Sequence, residues 1–519
     1  MFAFVSRPVF VSYPSLILFA VLLALQSCTS CKGKGHGGCD LAWYEMQYVS
    51  ASSAPQNTPA NAMTGTPASS TDGRFIAFAS LATNLTSPAP AASNQLVYLR
   101  DMCTGSSAPS GCQAKTVLVS ANSSGQPPSN CFGSPGINSR PGISGDGRYV
   151  VFESNGCNLG FGANDGVTWQ IYVRDTCTGP NGPGTLSGCT PNTVAITQSH
   201  LPSRHPTISS DGMYVSFMSN ATDLPNDRQG NPPAGTQIYV ADISRCQGPG
   251  GIRACLPNII LVSQDSSGNQ ANSGVNENGN TNSPQISPNG RFVVFTSNNR
   301  NLGAGGLGAS PTQVFVADAC ISGGVGIAGC NVQAYGPFSI ASGGALASSD
   351  AQTPTIDGSG RFLAFASTAT NLASNATSGT TQIYFVDDCT VPKAQTGCAT
   401  SVKLVSTTLD GTPGNQASTA PFMASNGGAV LFQSLATNFV QPGTVPGGSI
   451  FVSSTCAGNP SGCVTGAVGF DTSTCGVPNG AISQPVFDLN SDLIVFTSNA
   501  SNLDPGATSQ GVFTGKQGP

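Results

Sequence analysis

Charge is scarce in this chain: Asp, Glu, Lys and Arg make up only 8% of 519 residues, and the formal net charge is −5. No basic block occurs beyond Lys32 and Lys34. The clustered cationic surface that phosphate backbones require is therefore missing, and no nucleic-acid partner is expected. Helical patterning is lacking too: the chain has 64 Gly and 37 Pro and no sustained apolar spacing of 3.6 residues, which excludes long helices. No Gly-x-Ser-x-Gly elbow occurs, so the usual mark of an α/β-hydrolase is absent. What is plentiful is short runs of Val, Ile, Phe and Tyr along the whole length, which argue for strands and against disorder.

The apolar run Leu16 to Leu25 follows a single charge, Arg7, and is too short to span a bilayer as a mature helix. It suits the core of a signal peptide. Leu25-Gln26-Ser27-Cys28 resembles a bacterial lipobox, which makes Cys28 the expected lipidation site; ordinary cleavage nearby is the alternative. The expected organisation is a lipoprotein-type signal peptide over 1–27, a Gly- and Lys-containing tether over 28–40, and one domain over 41–519.

That domain is a tandem repeat. Seven segments align on a proline: Pro67, Pro141, Pro206, Pro284, Pro354, Pro421 and Pro485. Five residues on stands a turn residue (Asp72, Asp146, Asp211, Asn289, Ser359, Asn426, Asn490), followed by Gly in six cases and by Ser491 in the seventh. Six residues after each turn residue comes Phe78, Phe152, Phe217, Phe295, Phe365, Phe432 or Phe496. Pro-x-Ile-Ser, as in Pro206 to Ser209, reads as a short first strand with Pro at its start. Asp-Gly is a hairpin turn, and Arg148 to Phe152 is an alternating second strand in which the Phe ends the buried row. A third strand reads Gln170-Ile171-Tyr172-Val173, and a fourth reads Val117-Leu118-Val119-Ser120 or Ile260-Leu261-Val262-Ser263.

Four antiparallel strands per unit in tandem predict an all-β fold, a β-propeller. The seventh unit has three strands, to Val512-Phe513-Thr514, while Met46 to Ser50 matches the fourth-strand pattern ahead of the first unit. An N-terminal strand that completes the last blade removes both exposed edges, so a closed ring of seven blades is expected.

Eighteen cysteines behind a secretion signal predict disulfides. Six pairs recur between third and fourth strands: Cys103–Cys112, Cys177–Cys189, Cys246–Cys255, Cys320–Cys330, Cys389–Cys398 and Cys456–Cys463. Zinc is the rival, but no His lies beside the pairs and none has CxxC spacing. Cys131–Cys157 and Cys31–Cys39 are the further expected pairs, which leaves Cys475 over.

The repeat resembles TolB-like propellers, also described as WD40-like (PD40) repeats; Ser144 to Phe152 and Ser287 to Phe295 carry the likeness best. The resemblance implies a propeller from about Cys39 onward and says little of function. TolB itself has six blades behind an α/β domain, for which there is no room here. Many relatives also place acidic residues before the third strand, in a loop suited to calcium. Here Gln95, Gln170, Gln237, Gln313 and Gln382 stand where Asp is common, with Asp165, Asp223 and Asp227 as exceptions. No metal site and no cofactor is expected.

Residues just before the aligned prolines should line the axial mouth: Thr66, Arg140, His205, Ser283, Thr353, Ala420 and Gln484. None is acidic. Arg140, His205 and Arg204 form a cationic sector able to grip a carboxylate or phosphate, and Trp169 is an aromatic candidate on the same face; a solvated polar rim is the plainer reading. His200 with His205 lacks a third ligand, and His36 lies in the tether. The Asp after the third strand (Asp101, Asp175, Asp242, Asp318, Asp388) reads as a turn cap rather than a catalytic group. No catalytic residue is identified. The expectation is a monomeric, non-catalytic binding or scaffolding propeller in the periplasm or outer membrane, membrane-bound by its lipid alone and engaging an envelope protein or glycan. A carbohydrate-active propeller enzyme with loop carboxylates is the alternative.

Overall fold

The computed structural model describes residues 44–88, 90, 94–104, 107–129, 137–159, 165–272, 284–299, 301–302, 311–376, 379–391, 399–439, 448–456, 467–469, 480–487, 493–500 and 510–517. These form seven four-stranded antiparallel sheets, a small ribbon at Ile321–Ser322 and Val325–Gly326, and a single 3-10 turn at Ser244–Cys246. Six sheets take their strands in chain order, as blade 1 does with Thr64–Ser69, Phe75–Ser80, Leu96–Asp101 and Lys115–Leu118. The seventh joins both chain ends: Ile482–Phe487, Leu493–Ser498 and Gly511–Gln517 are completed by Tyr44–Tyr48, paired from Tyr44 with Gln517 to Tyr48 with Phe513. The protein is a seven-bladed β-propeller closed by an N-terminal strand.

Each blade is held by the same aromatic pair. The aligned Phe of the second strand lies directly opposite a Tyr or Phe of the third, as in Phe152 with Tyr172, and the seven pairs stack at 5.5–6.0 Å between centroids. Second strands are buried throughout in six blades, because sheets pack on both of their faces. Between blades, the hairpin turns bond in sequence: Thr71 N–H donates to Gly145 O at 2.9 Å, Gly145 to Ser210 O at 2.7 Å, and Ser210 to Pro288 O at 2.9 Å.

Four boundaries differ from the sequence reading. Fourth strands end two residues early, at Leu118, Leu261 and Leu404. There the Ser at the end of the motif turns its hydroxyl back to accept a third-strand N–H: Val97 to Ser120 Oγ at 3.0 Å, Ile238 to Ser263 Oγ at 3.0 Å, Ile383 to Ser406 Oγ at 2.9 Å. The closing strand shifts in the same way, from 46–50 to Tyr44–Tyr48, with Val512 N–H donating to Ser50 Oγ at 3.1 Å. In six blades the aligned proline is not at a strand start, whereas in the fourth Pro284 directly precedes the strand Gln285–Ile286. In those six it sits inside the first strand, as in Asn138–Ile143 and Ser203–Ile208, at a register shift. A bulge leaves one residue outside the ladder, so the missing proline donor costs nothing there. Second strands also run two residues past the aligned Phe, to Ser154 in blade 2 and Ser219 in blade 3.

A candidate anion site on the inner ring

First strands of neighbouring blades touch all the way round, so they form the wall of the axis. The bulge does more than accommodate proline. The residue before it adopts a left-handed conformation: Thr66, Arg140, His205, Thr353, Ala420 and Gln484 have φ between 45° and 57°. Ser283, the remaining predicted axial residue, lies outside the described residues. None of the six is Gly, and a left-handed turn costs such residues about 1–2 kcal/mol each. A cost repeated at one position of the fold marks a built feature, and its effect is to re-aim one side chain per blade.

In blades 2 and 3 the re-aimed residues meet a carboxylate. Glu153, on the second strand Tyr149–Ser154, is fully buried. Its Oε1 accepts from Ser139 Oγ at 2.9 Å and faces Arg140 Nε at 3.4 Å and Arg204 Nη2 at 3.6 Å. Its Oε2 accepts the backbone N–H of His205 at 2.8 Å, the donor that the blade 3 bulge releases. Blade 1 solves the same problem with Thr66 N–H donating to Gln484 Oε1 at 2.7 Å. Arg204 stacks with its Cζ 4.2 Å from the centre of Trp169, and Ser203 N–H donates to Trp169 O at 2.8 Å. The four residues singled out from sequence, Arg140, Arg204, His205 and Trp169, therefore occupy one sector.

The electrostatics of the sector are set by burial. Desolvation, reinforced by Arg140 and Arg204, pushes the His205 imidazole down to about 3, so it is neutral at ordinary pH. Burial also lowers Arg140 from its usual value, with Glu153 opposing and Arg204 adding to the shift. Among the described residues, Glu153 is thus the one carboxylate that the two guanidinium groups share. Arg204 is the more open of the two, its side chain 40% exposed against 24% for Arg140.

Glu153 was missed because the second strand was read as ending its buried row at Phe152. The signal was present. The position after the aligned Phe reads Ala79, Glu153, Met218, Thr296, Ala366, Gln433 and Thr497, with a single carboxylate among the seven.

The opposite face carries the Asx-Gly turns and the recurrent cysteine pairs between third and fourth strands. Cys103 and Cys112, Cys177 and Cys189, Cys246 and Cys255, and Cys320 and Cys330 lie at disulfide distance, with Cα atoms 5.4–5.6 Å apart. Cys389 and Cys456 are disulfide-bonded as well, and so is Cys157, which follows Tyr149–Ser154 at the face where first strands begin. Their expected partners Cys131, Cys398 and Cys463 lie outside the described residues, as do Cys28, Cys31, Cys39 and Cys475. The recurrent Asp accepts the N–H two residues on, as Asp101 does from Cys103 at 2.9 Å. In four blades an Asp also pairs with the Arg after the hairpin turn: Arg74–Asp101, Arg148–Asp175, Arg291–Asp318 and Arg361–Asp387. In blade 5 the two duties fall to different residues, Asp387 for the pair and Asp388 for the cap.

Two of the three loop carboxylates, Asp165 and Asp227, are committed locally. Asp165 accepts from Val167 and Thr168, and Asp227 from Gln229, Asn231 and Gln270. The third-strand Gln side chains are structural: Gln237 Oε1 accepts from Ser263 Oγ at 2.6 Å, and its amide donates to Ala271 O at 2.9 Å.

Fold and site together define a seven-bladed propeller with one cationic sector on its inner ring. No family model matches the chain, and no curated protein matches it. Three solved structures illustrate what it is similar to. Oligogalacturonate lyase from Vibrio parahaemolyticus shares 12% identity over 91% of this chain and 97% of its own, at a TM-score of 0.45. The β-propeller domain of the Trilobed protease from Pyrococcus furiosus shares 10% over 88% and 97%, at 0.43. TolB from Acinetobacter baumannii shares 12% over 74% and 80%, at 0.33. Likenesses this distant carry no argument about a ligand or a reaction.

Proposed function

We propose that this chain is a non-catalytic, extracytoplasmic binding propeller of the bacterial envelope, lipid-anchored through Cys28, which holds an anionic group of its ligand at the Arg140–Arg204 sector. The observation that carries the reading is charge: among the described residues two guanidinium groups face one buried carboxylate beside a neutral histidine, and the Arg204 side chain is 40% exposed to an incoming anion. Cysteine pairs at disulfide distance support an oxidising compartment. Glu153 is engaged by Ser139, Arg140, Arg204 and the His205 amide, which suits it to positioning the arginines rather than to proton transfer.

Glutarate and inorganic phosphate, titrated into the purified mature chain, test the reading through the unfolding midpoint. At least one should raise it, and Arg204→Ala should abolish most of that rise, an affinity loss of about tenfold for a charge-assisted contact worth ~1.4 kcal/mol. A rise of equal size in wild type and variant, or no rise with either anion, overturns the assignment of the sector.

A further inference from the structure

We propose that the face around this sector docks a polypeptide segment in which an acidic side chain is flanked by apolar ones. The proposal rests on the anion-binding reading and adds the class of ligand. It starts from where large apolar side chains are left in water. Eight are exposed among the described residues, and six lie at the sheet ends where first strands begin. Five of these six belong to blades 1 to 3, the blades that hold or adjoin Arg140 and Arg204; Leu435, in blade 6, is the other.

The five form an arc in chain topology. Met63 immediately precedes blade 1's first strand, and Leu81 follows its second, joined by Leu81 N–H donating to Met63 O at 3.0 Å. Ile137 immediately precedes Asn138–Ile143, the strand that carries Arg140. Val167, 68% exposed, and Leu201, 40% exposed, flank Trp169 and the strand that carries Arg204. Leu256 and Val325, the remaining two, lie between third and fourth strands on the cysteine face.

Charge complementarity selects the occupant. One incoming carboxylate would turn two guanidinium groups on one carboxylate into a balanced two-and-two set. The Trp169 ring already holds the Arg204 guanidinium, so little ordering remains to be done on binding. Exposed apolar side chains at the same sheet ends gain from partner side chains that bury aliphatic area, which a polypeptide offers more readily than a hydroxyl-covered glycan.

A phage-displayed random twelve-residue peptide library, panned on the immobilised mature chain, is the direct test. Enrichment of Asp or Glu flanked by Leu, Ile, Val, Met or Phe is expected, and a selected peptide should bind in fluorescence polarisation. Its affinity should fall roughly tenfold with Arg204→Ala and with the double variant Val167→Ser/Leu201→Ser. Both altered apolar positions are exposed, so the fold is retained, which the unfolding midpoint verifies. No enrichment, or enrichment of peptides without an acid, overturns the proposal. A hyaluronan hexasaccharide supplies the glycan arm: binding that needs Arg204 but ignores Val167 and Leu201 leaves the anion site standing and removes the polypeptide. Loss of Arg204 dependence for every probe removes both.

Discussion

At the scale of single residues, Glu153 holds two opposed duties. It neutralises half of the sector's positive charge, and it accepts the His205 N–H that the bulge sets free. Glu153→Gln separates them. The amide keeps an acceptor for that N–H but leaves Arg140 and Arg204 without a counter-charge. Stability should fall, because breaking one side of a buried ion pair is costly, typically about 3–5 kcal/mol when both partners are buried and less here, where the arginines are partly open. Affinity for an anion should rise several-fold in the same variant, since repulsion between carboxylates is removed. Unfolding midpoints and anion titration on one preparation measure both; a variant that loses both properties would show that Glu153 only scaffolds. From sequence the sector was readable because Arg140 and His205 occupy one repeat position in successive units with Arg204 beside them, although burial leaves His205 neutral and only the arginines cationic. Its acidic member was not, because its strand was ended two residues short.

Among elements, the hairpin turn packs directly against the preceding blade. Its Gly needs a positive φ, as any such turn does, but a second constraint falls on it. At Gly290, with φ of 76°, a Cβ would lie 2.2 Å from the Tyr214 ring of the preceding blade. Gly360 meets Phe292 in the same way at 2.4 Å. Gly290→Ala therefore combines about 1–2 kcal/mol of backbone strain with about 1–3 kcal/mol of overpacking. Gly344, with φ of 81° and open space around it, isolates the first part. Denaturant unfolding of Gly290→Ala against Gly344→Ala should show the former losing clearly more stability; equal losses would mean that the aromatic yields without cost. The turn itself was legible, since Asx-Gly at fixed spacing has one local meaning. Its packing against the previous blade was not, because that contact joins residues some seventy positions apart in different repeats. The bulge was hidden for a different reason: Pro is permitted both at strand starts and at bulges, and sequence does not choose between them.

For the whole molecule, seven-fold repetition and closure were legible because each unit repeats the same constraints in register. What fastens the closure was not. The N-terminal segment is held by its ladder to Gly511–Gln517 and also by blade 1, where the buried Arg100 reaches it. Arg100 Nη1 donates to Ala51 O at 2.9 Å, Ser52 O at 2.8 Å and Thr116 Oγ1 at 2.8 Å, and Nη2 donates to Asn57 Oδ1 at 2.8 Å. Burial lowers this guanidinium to about 10, with Asp101 opposing the shift, so it enters the ring as a cation held mainly by carbonyls. Arg174 makes the same clamp one blade on, to Ala121 O and Asn122 O, where it ties two blades already joined by continuous chain. The two arginines are chemically alike, yet only Arg100 secures a segment whose release would open the ring and bare two strand edges. Arg100→Met and Arg174→Met should then differ in hydrogen exchange more than in melting. The first should lose protection over 44–60 and 510–517 together, because both sides of the closing ladder are released at once. The second should lose it only around 115–122 and 170–175. Exchange that rises evenly round the ring in both variants would show that closure is maintained by the sum of blade contacts and has no local latch.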